Sequence, residues 1–434
     1  MQRLNKLPVT LVTLGRRLRA ASRNLWTRVT LISGLGLLAV GMAKFLGPFI
    51  PDGFAQVVGA DSVTSLLTII ANAMLAVTTF SLSVMVAIHR SVSSQWTPRA
   101  HLMLLRDTPT QTVLATFIGA YIFALTSLIL LSTPFFGEAE VVVLFGMTLL
   151  VIALIVAMIL RWIAHLQTWG SLSQTAETIE AAAARVLQQR AQRPCHGCQA
   201  LTANTVIPVD ARNLLAPSTG YIREILFEKI ENVAASGHAQ IYFIAPIGRF
   251  VHQGDVIGHI AGGDPLLANQ TLQWVTIGPS RSPDHDARFC LIMLSEMGSK
   301  ALSPGINDAG TAIDVIGRLA RLLEEFTPDN EHHAGADYTH IWTPALTADD
   351  LISDAFAAIA RDGAHLAEVQ IILQKRLRGI ARHAHPEMVT AVTTFLQDAL
   401  HIANDAIAGE ADRTRLASEI GFARKQVNPD TIRE

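Results

Sequence analysis

Cysteine is nearly missing from this chain: 434 residues hold only Cys195, Cys198 and Cys290. Three scattered thiols exclude the disulfide framework that staples small secreted domains. Charge is scarce as well, at 16% of residues with a formal net charge of −2. No global basic field therefore argues for nucleic acid, and none is expected as a partner. Several catalytic signatures are absent too: no Walker A, GxSxG, HExxH or GxGxxG pattern occurs. No catalytic residue, cofactor or metal is assigned from the sequence, and an enzyme reading ranks third behind transport and scaffolding.

What the chain has instead is apolar residues, 50% of the total, well above an average soluble chain in how they cluster. The excess sits in the first 165 residues, in four runs at about 29–50, 66–88, 112–131 and 141–163. Each approaches or exceeds the roughly 20 apolar residues that a helix needs to cross a bilayer. One such run could be a buried core helix; four in succession, separated by charged loops, predict four transmembrane helices over 29–165.

Basic residues orient them. Arg3, Lys6, Arg16, Arg17, Arg19, Arg23 and Arg28 precede the first run, in a basic segment at 1–28, and Arg90, Arg99 and Arg106 lie between the second and third. The other two loops carry Asp52, Asp61, Glu138 and Glu140 and no Lys or Arg. Both termini are therefore expected in the cytoplasm, with the first run a retained anchor and Lys44 reaching for the interface. The loop arginines, with Trp96, suit anionic headgroups and equally suit topology setting alone; His101 adds little.

Beyond the spans, residues 166–193 are rich in good helix formers and read as a cytoplasmic stalk that Pro194 ends. "PCHGCQALTAN" (194–204) reads as a linker. Its CxxC lacks the four ligands of a zinc site, even if His196 is added, and lacks the strand and helix that flank a redox CxxC. Residues 205–278 carry β-branched and aromatic runs broken by Gly and Pro, the mark of a small β-rich domain, with "EKIENVAASG" as a short helix. Within it "GRFVHQGDVI" (248–257) is similar to a hairpin of biotinyl/lipoyl-like barrels, yet no Lys occurs between Lys229 and Lys300 to carry a swinging cofactor. A non-covalent adaptor barrel or plain packing remains. Residues 285–426 return to helical periodicity; Ile313, Ile316, Leu319 and Leu323 share one face. The polar insert at 327–346, with His332 and His333, reads as an exposed loop, and the last dozen residues as a polar tail.

Two constellations stand out. Ser65, Thr68, Asn72, Thr79 and Ser83 recur at helical spacing along the second span, with Ala76 filling the gap. A polar membrane face meets protein or water rather than lipid, so it either lines a permeation path in an oligomer or packs helices through small hydroxyl residues. Asn72 matters most, because a mid-membrane amide needs a partner. The second constellation lies around "SPGIND" (303–308). Pro304 and Gly305 stop one helix and Asn307 or Asp308 caps the next. With Arg281, Asp284, His285 and Asp286 upstream, Asn307 and Asp308 could instead form a cytoplasmic ligand pocket. The pair His383 and His385 reads as surface.

"ALSPGINDAGTAIDVIGRL" (301–319) resembles the signature of bacterial predicted membrane proteins grouped as domain of unknown function 2254 (DUF2254). Residues 78–125, "GYIREI" with "GRFVHQGDVI", and the segment "RSPDHDARFCLIMLSEMGSK" are similar to further parts of that family in order, so the resemblance covers roughly 25–420. Ala309 stands where the signature usually has Pro, and His285-Asp286 where Gln-Asp is usual. The resemblance implies a bacterial inner-membrane protein and brings no reaction with it. The expected molecule is a membrane α-helical protein with a cytoplasmic α+β region, embedded in the lipid bilayer as a homo-oligomer. It would be channel-like or a transporter; the alternative is a membrane-anchored scaffold or sensor.

Overall fold

The computed structural model describes residues 25–49, 59–95, 97–100, 108–167, 171–326, 336–382 and 384–427. The chain divides into two compact units, residues 1–95 with 101–174, and residues 96–100 with 175–434.

The first unit holds α1 (Leu25–Leu46), α2 (Ala60–Gln95), α3 (Thr108–Leu131) and α4 (Glu138–Leu166). Each contains a stretch long and apolar enough to cross a membrane: Val29–Leu46, Ala60–Arg90, Pro109–Leu131 and Glu138–Leu166. These coincide with the four expected spans, the first being shorter and the other three longer. Helix α3 is the centre. It packs against all three others, and 56% of its span is buried against 17–22% for the rest. Two glycines let α1 approach it: a Cβ on Gly119 would stand 2.7 Å from Ile32 Cγ2, and one on Gly36 3.3 Å from Phe123 Cβ. Such small-residue contacts are how membrane helices gain close packing without a hydrophobic drive between them. Around this seam Leu67, Val113, Phe117, Phe123 and Leu144 are almost fully buried. Lys44, expected to reach the interface, donates to Glu140 and to the Phe135 carbonyl, both at 2.9 Å. Glu140 also accepts the Gly137 N–H at 2.7 Å, opening α4.

The second unit begins in α5 (Leu172–Gln192). The sequence casts this helix as a stalk; it has a covered face, with Ile179, Ala183 and Leu187 buried. A five-stranded sheet follows the order β1 (Cys198–Leu201), β8 (Tyr338–Pro344), β4 (Ala239–Phe243), β6 (Val256–Gly262), β2 (Arg212–Leu215). Both neighbours of β8 run parallel to it, while β4, β6 and β2 are antiparallel. A second sheet joins β5 (Phe250–Val251), β3 (Gly220–Ile225) and β7 (Val275–Gly278). The segments on either side of the Gly254 turn, β5 and β6, thus enter different sheets. Two short helices, α6 (Phe227–Ser236) and α7 (Leu267–Leu272), connect strands.

Strand β8 corrects the expectation of an exposed loop at 327–346. Tyr338–Pro344 is an inner strand, with Ile341 and Thr343 buried; the part at 327–335, with His332 and His333, lies outside the described residues. Likewise β1 occupies the expected linker. The helical end of the chain comprises α8 (Ala287–Ala301), α9 (Ala309–Glu324), α10 (Ala348–Asp362), α11 (Ala367–Ala381), α12 (Pro386–Ala406) and α13 (Glu410–Val427). The stretch from 348 to 381, one helical run by composition, breaks after Gly363, which caps α10. The α9 stripe is buried at Ile316, Leu319 and Leu323, while Ile313 is half-buried. Of the expected polar tail, residues 423–427 finish α13 and residues 428–434 lie outside the described residues.

Candidate functional site

Helix α2 supplies the most unusual face of the first unit. All five residues of its polar stripe, Ser65, Thr68, Asn72, Thr79 and Ser83, are exposed. At 3.6 residues per turn the other four fall within about 40° of Asn72. Val63, Leu67, Ile70 and Met74, which are buried against the other helices, lie about 140–180° away around the same axis. The stripe therefore points away from the unit's own core. Exposed Ile69, Leu75, Phe80 and Leu82 flank it on both sides.

Three of the hydroxyls are satisfied within the helix. Thr68 donates to the Thr64 carbonyl at 2.8 Å, Thr79 to Ala76 at 2.9 Å, and Ser83 to Thr79 at 2.9 Å. This back-bonding spends the donor and leaves a hydroxyl oxygen facing outward. Asn72 has no such outlet: among the described residues its amide has no hydrogen-bond partner.

The cytoplasmic-pocket residues fall into two separate motifs of the second unit. Arg281 forms a two-pronged ion pair with Asp286, at 2.8 and 2.9 Å, and stacks 5.0 Å above the Phe289 ring. Asp286, 4% exposed, also caps α8 by accepting the Phe289 N–H at 3.0 Å. Gly248, with φ +93°, presses so close that a Cβ there would lie 2.2 Å from Asp286 Oδ2. His285 sits 3.7 Å from Glu224, and Ser282 donates to Asp284 at 2.9 Å. Asp308 caps α9, accepting from the Thr311 N–H at 3.0 Å and the Thr311 hydroxyl at 2.5 Å. These bonds hold its carboxyl below the usual aspartate range. Asn307 takes the left-handed conformation, φ 52°, that turns the chain into the cap. Among the described residues no hydrogen bond or ion pair joins Asn307 or Asp308 to Arg281, His285 or Asp286. Asp286 and Asp308 each spend a carboxylate oxygen on a helix start.

Of the loop arginines, Arg99 pairs with Glu296 of α8 and lies 5.9 Å from the Phe289 ring, so it is engaged by protein rather than held out for headgroups. Burial raises the Glu296 carboxyl, with Arg99 opposing. Trp96, His101 and Arg106 lie outside the described residues.

The three cysteines are buried. Burial pushes all three thiols up, Cys290 to about 12, so they stay protonated near neutrality. No cluster of three metal-ligating side chains occurs among the described residues. One feature of the CxxC escapes the sequence. Cys195, His196 and Gly197 are all left-handed, with φ of 51°, 59° and 83°. Two consecutive non-glycine residues in that region store strain. Only the glycine at its end hinted at this turn.

Comparison with known proteins agrees with a membrane-protein reading. A family model described as predicted membrane protein (DUF2254) matches residues 22–379. An uncharacterized protein of Mycobacterium bovis and one of Mycobacterium tuberculosis are each 26% identical over 355 residues, covering 78% of this chain and 68% of theirs. No solved structure matches the chain.

Proposed function

The chain belongs to the DUF2254 family of predicted membrane proteins, and from that premise we propose that it is a homo-oligomeric, channel-like or transport protein of the bacterial inner membrane. Both termini lie in the cytoplasm on this reading, as the basic residues before α1 and between α2 and α3 favour. The observation that carries the proposal is the outward polar face of α2. In lipid, five exposed polar side chains with apolar neighbours on both sides would be stranded, and an unpaired amide would be the most costly of them. Facing a second copy, or water enclosed by several copies, they would be solvated, and the flanking Ile69, Leu75, Phe80 and Leu82 would seal the contact.

The anchor-only alternative, a scaffold or sensor, calls for that face to be covered by the chain's other helices. Within one protomer it is exposed, which weighs toward the oligomeric reading. Flux of small ions or solutes into vesicles carrying the purified full chain tests the proposal. Wild-type protein should conduct, and Asn72→Leu should alter the rate. An intact oligomer with no flux for any ion or solute tried would refute it.

A further inference from the structure

The chain leaves the first compact unit after α2, gives residues 96–100 to the second, and returns to the first before α3. A loop between two spans ordinarily runs free over a surface, so this short excursion needs contacts of its own to hold it. Of its residues, 97–100 are described. Thr97 opens a helical turn by accepting the Ala100 N–H at 3.2 Å, with Pro98 at the first helical position, where no N–H is needed. Thr97 is 9% exposed and Ala100 is fully buried. The turn is seated, not loose.

Its seat is α8. The Arg99 guanidinium pairs with Glu296, and the Thr97 hydroxyl hydrogen-bonds to the same carboxylate. Arg99 also lies 5.9 Å from the Phe289 ring, within cation–π reach. Phe289 and Glu296 are about two turns apart and nearly on one face of the helix. Arg281 stacks on that Phe289 ring as well, 5.0 Å away, and is tied to the α8 cap at Asp286. The excursion thus rests on a platform that the second unit's own ion pair braces. A half-exposed ion pair holds little by itself; the burial of Thr97 and Ala100 adds to it.

What this seat holds is the end of α2. That helix runs for 36 residues, Ala60–Gln95, and a single residue separates it from Thr97. Helices bend sharply at proline, at glycine–serine pairs or at bulges, and α2 contains neither proline nor glycine. Moving its end therefore moves the rod.

We propose that residues 97–100 are a transmission link: a shift of α8 in the second unit displaces the C-terminal end of α2, and with it the helix that carries the polar face. Shear of packed helices is a common way for one site to act on another. The link uses α2 as a rod and not as a pore wall, so it stands apart from the channel reading.

The test is hydrogen exchange, read by mass spectrometry, on the full chain in lipid nanodiscs. A charge swap isolates the pair from general damage. Glu296→Arg, which acts from the second unit, should speed exchange in residues 84–95 at least threefold, and Arg99→Glu should do the same. The double variant should recover most of the wild-type protection. Arg361→Glu breaks an ion pair elsewhere in the second unit and should leave residues 84–95 unchanged. Exchange in β4 reports whether the second unit stays folded; if a reversal loosens β4, Arg99→Met and Glu296→Gln, which remove charge without adding repulsion, take its place and should speed the same segment. Unchanged exchange in residues 84–95 overturns the proposal. So does a double variant as fast as the single ones, or equal acceleration in Arg361→Glu.

Discussion

Replacing Asn72 by leucine should weaken association between copies of this chain. The residue lies three positions from the middle of the 31-residue apolar stretch Ala60–Arg90, about 4.5 Å along the helix axis, and so deep within a hydrocarbon layer roughly 30 Å thick. Its amide is exposed on the protomer and has no partner among the described residues. Leaving an amide unpaired costs about 1–3 kcal/mol on protein mutational scales. Hydrogen bonds between membrane helices return about 0.6–1.7 kcal/mol. Leucine is at home in lipid, so the protomer should fold normally while each contact loses about 1 kcal/mol, or about fivefold in association constant. Energy transfer between donor- and acceptor-labelled full-length chains, measured over a range of protein-to-lipid ratios, reads this directly. Leu150→Ala is the control, since Leu150 is 66% exposed on α4 and away from the stripe. If Asn72→Leu associates as tightly as wild type, or wild type does not associate at all, the reasoning fails.

Three further expectations concern the folded chain. Gly119→Val should force α1 away from α3, because its Cβ would meet Ile32 at 2.7 Å; overpacking of this kind costs about 1–3 kcal/mol and should lower the thermal midpoint in detergent. Asp286→Ala strands the largely buried Arg281 and uncaps α8, so a loss of about 3 kcal/mol or more is expected in thermal or denaturant unfolding of the full chain. Asp308→Ala removes the α9 cap for about 1 kcal/mol. Because the folded carboxyl titrates below its ordinary value, the cap's contribution is full above the unfolded aspartate pKa of about 3.9. It is lost as pH falls through the lowered folded value. The wild-type advantage over Asp308→Ala should thus be constant near neutrality and vanish in strong acid; an advantage that persists there would contradict the assignment.

How far the sequence anticipates this molecule depends on where each signal lives. The four spans are legible because hydrophobic run length is a local quantity, and each run in the described residues became one helix. The cap at Asp308 is legible for the same reason: Pro304, Gly305 and a short acid at the next helix start are read within a few residues. Strand β8 is not. "YTHIWTP" alternates only weakly, adjoins a polar insert, and owes its place to parallel pairing with β1, some 140 residues earlier in the chain. The single Gly363 break was hidden by helix formers on both sides. The α2 stripe was visible as a periodicity, but whether it faced inward or outward depended on which side α3 and its neighbours covered.

The central claim, that the polar face of α2 meets water or another copy rather than lipid, is most directly tested by scanning cysteine through α2 in membranes. The native thiols are all buried, so background labelling should be low. Cysteine at 65, 68, 72, 79 and 83 should react with a water-soluble thiol reagent or cross-link copies of the chain, while cysteine at the flanking apolar positions 69, 75, 80 and 82, sealed from water, should not react with the reagent within the bilayer. Equal inertness at all nine positions, or reaction confined to the apolar flanks, would contradict it.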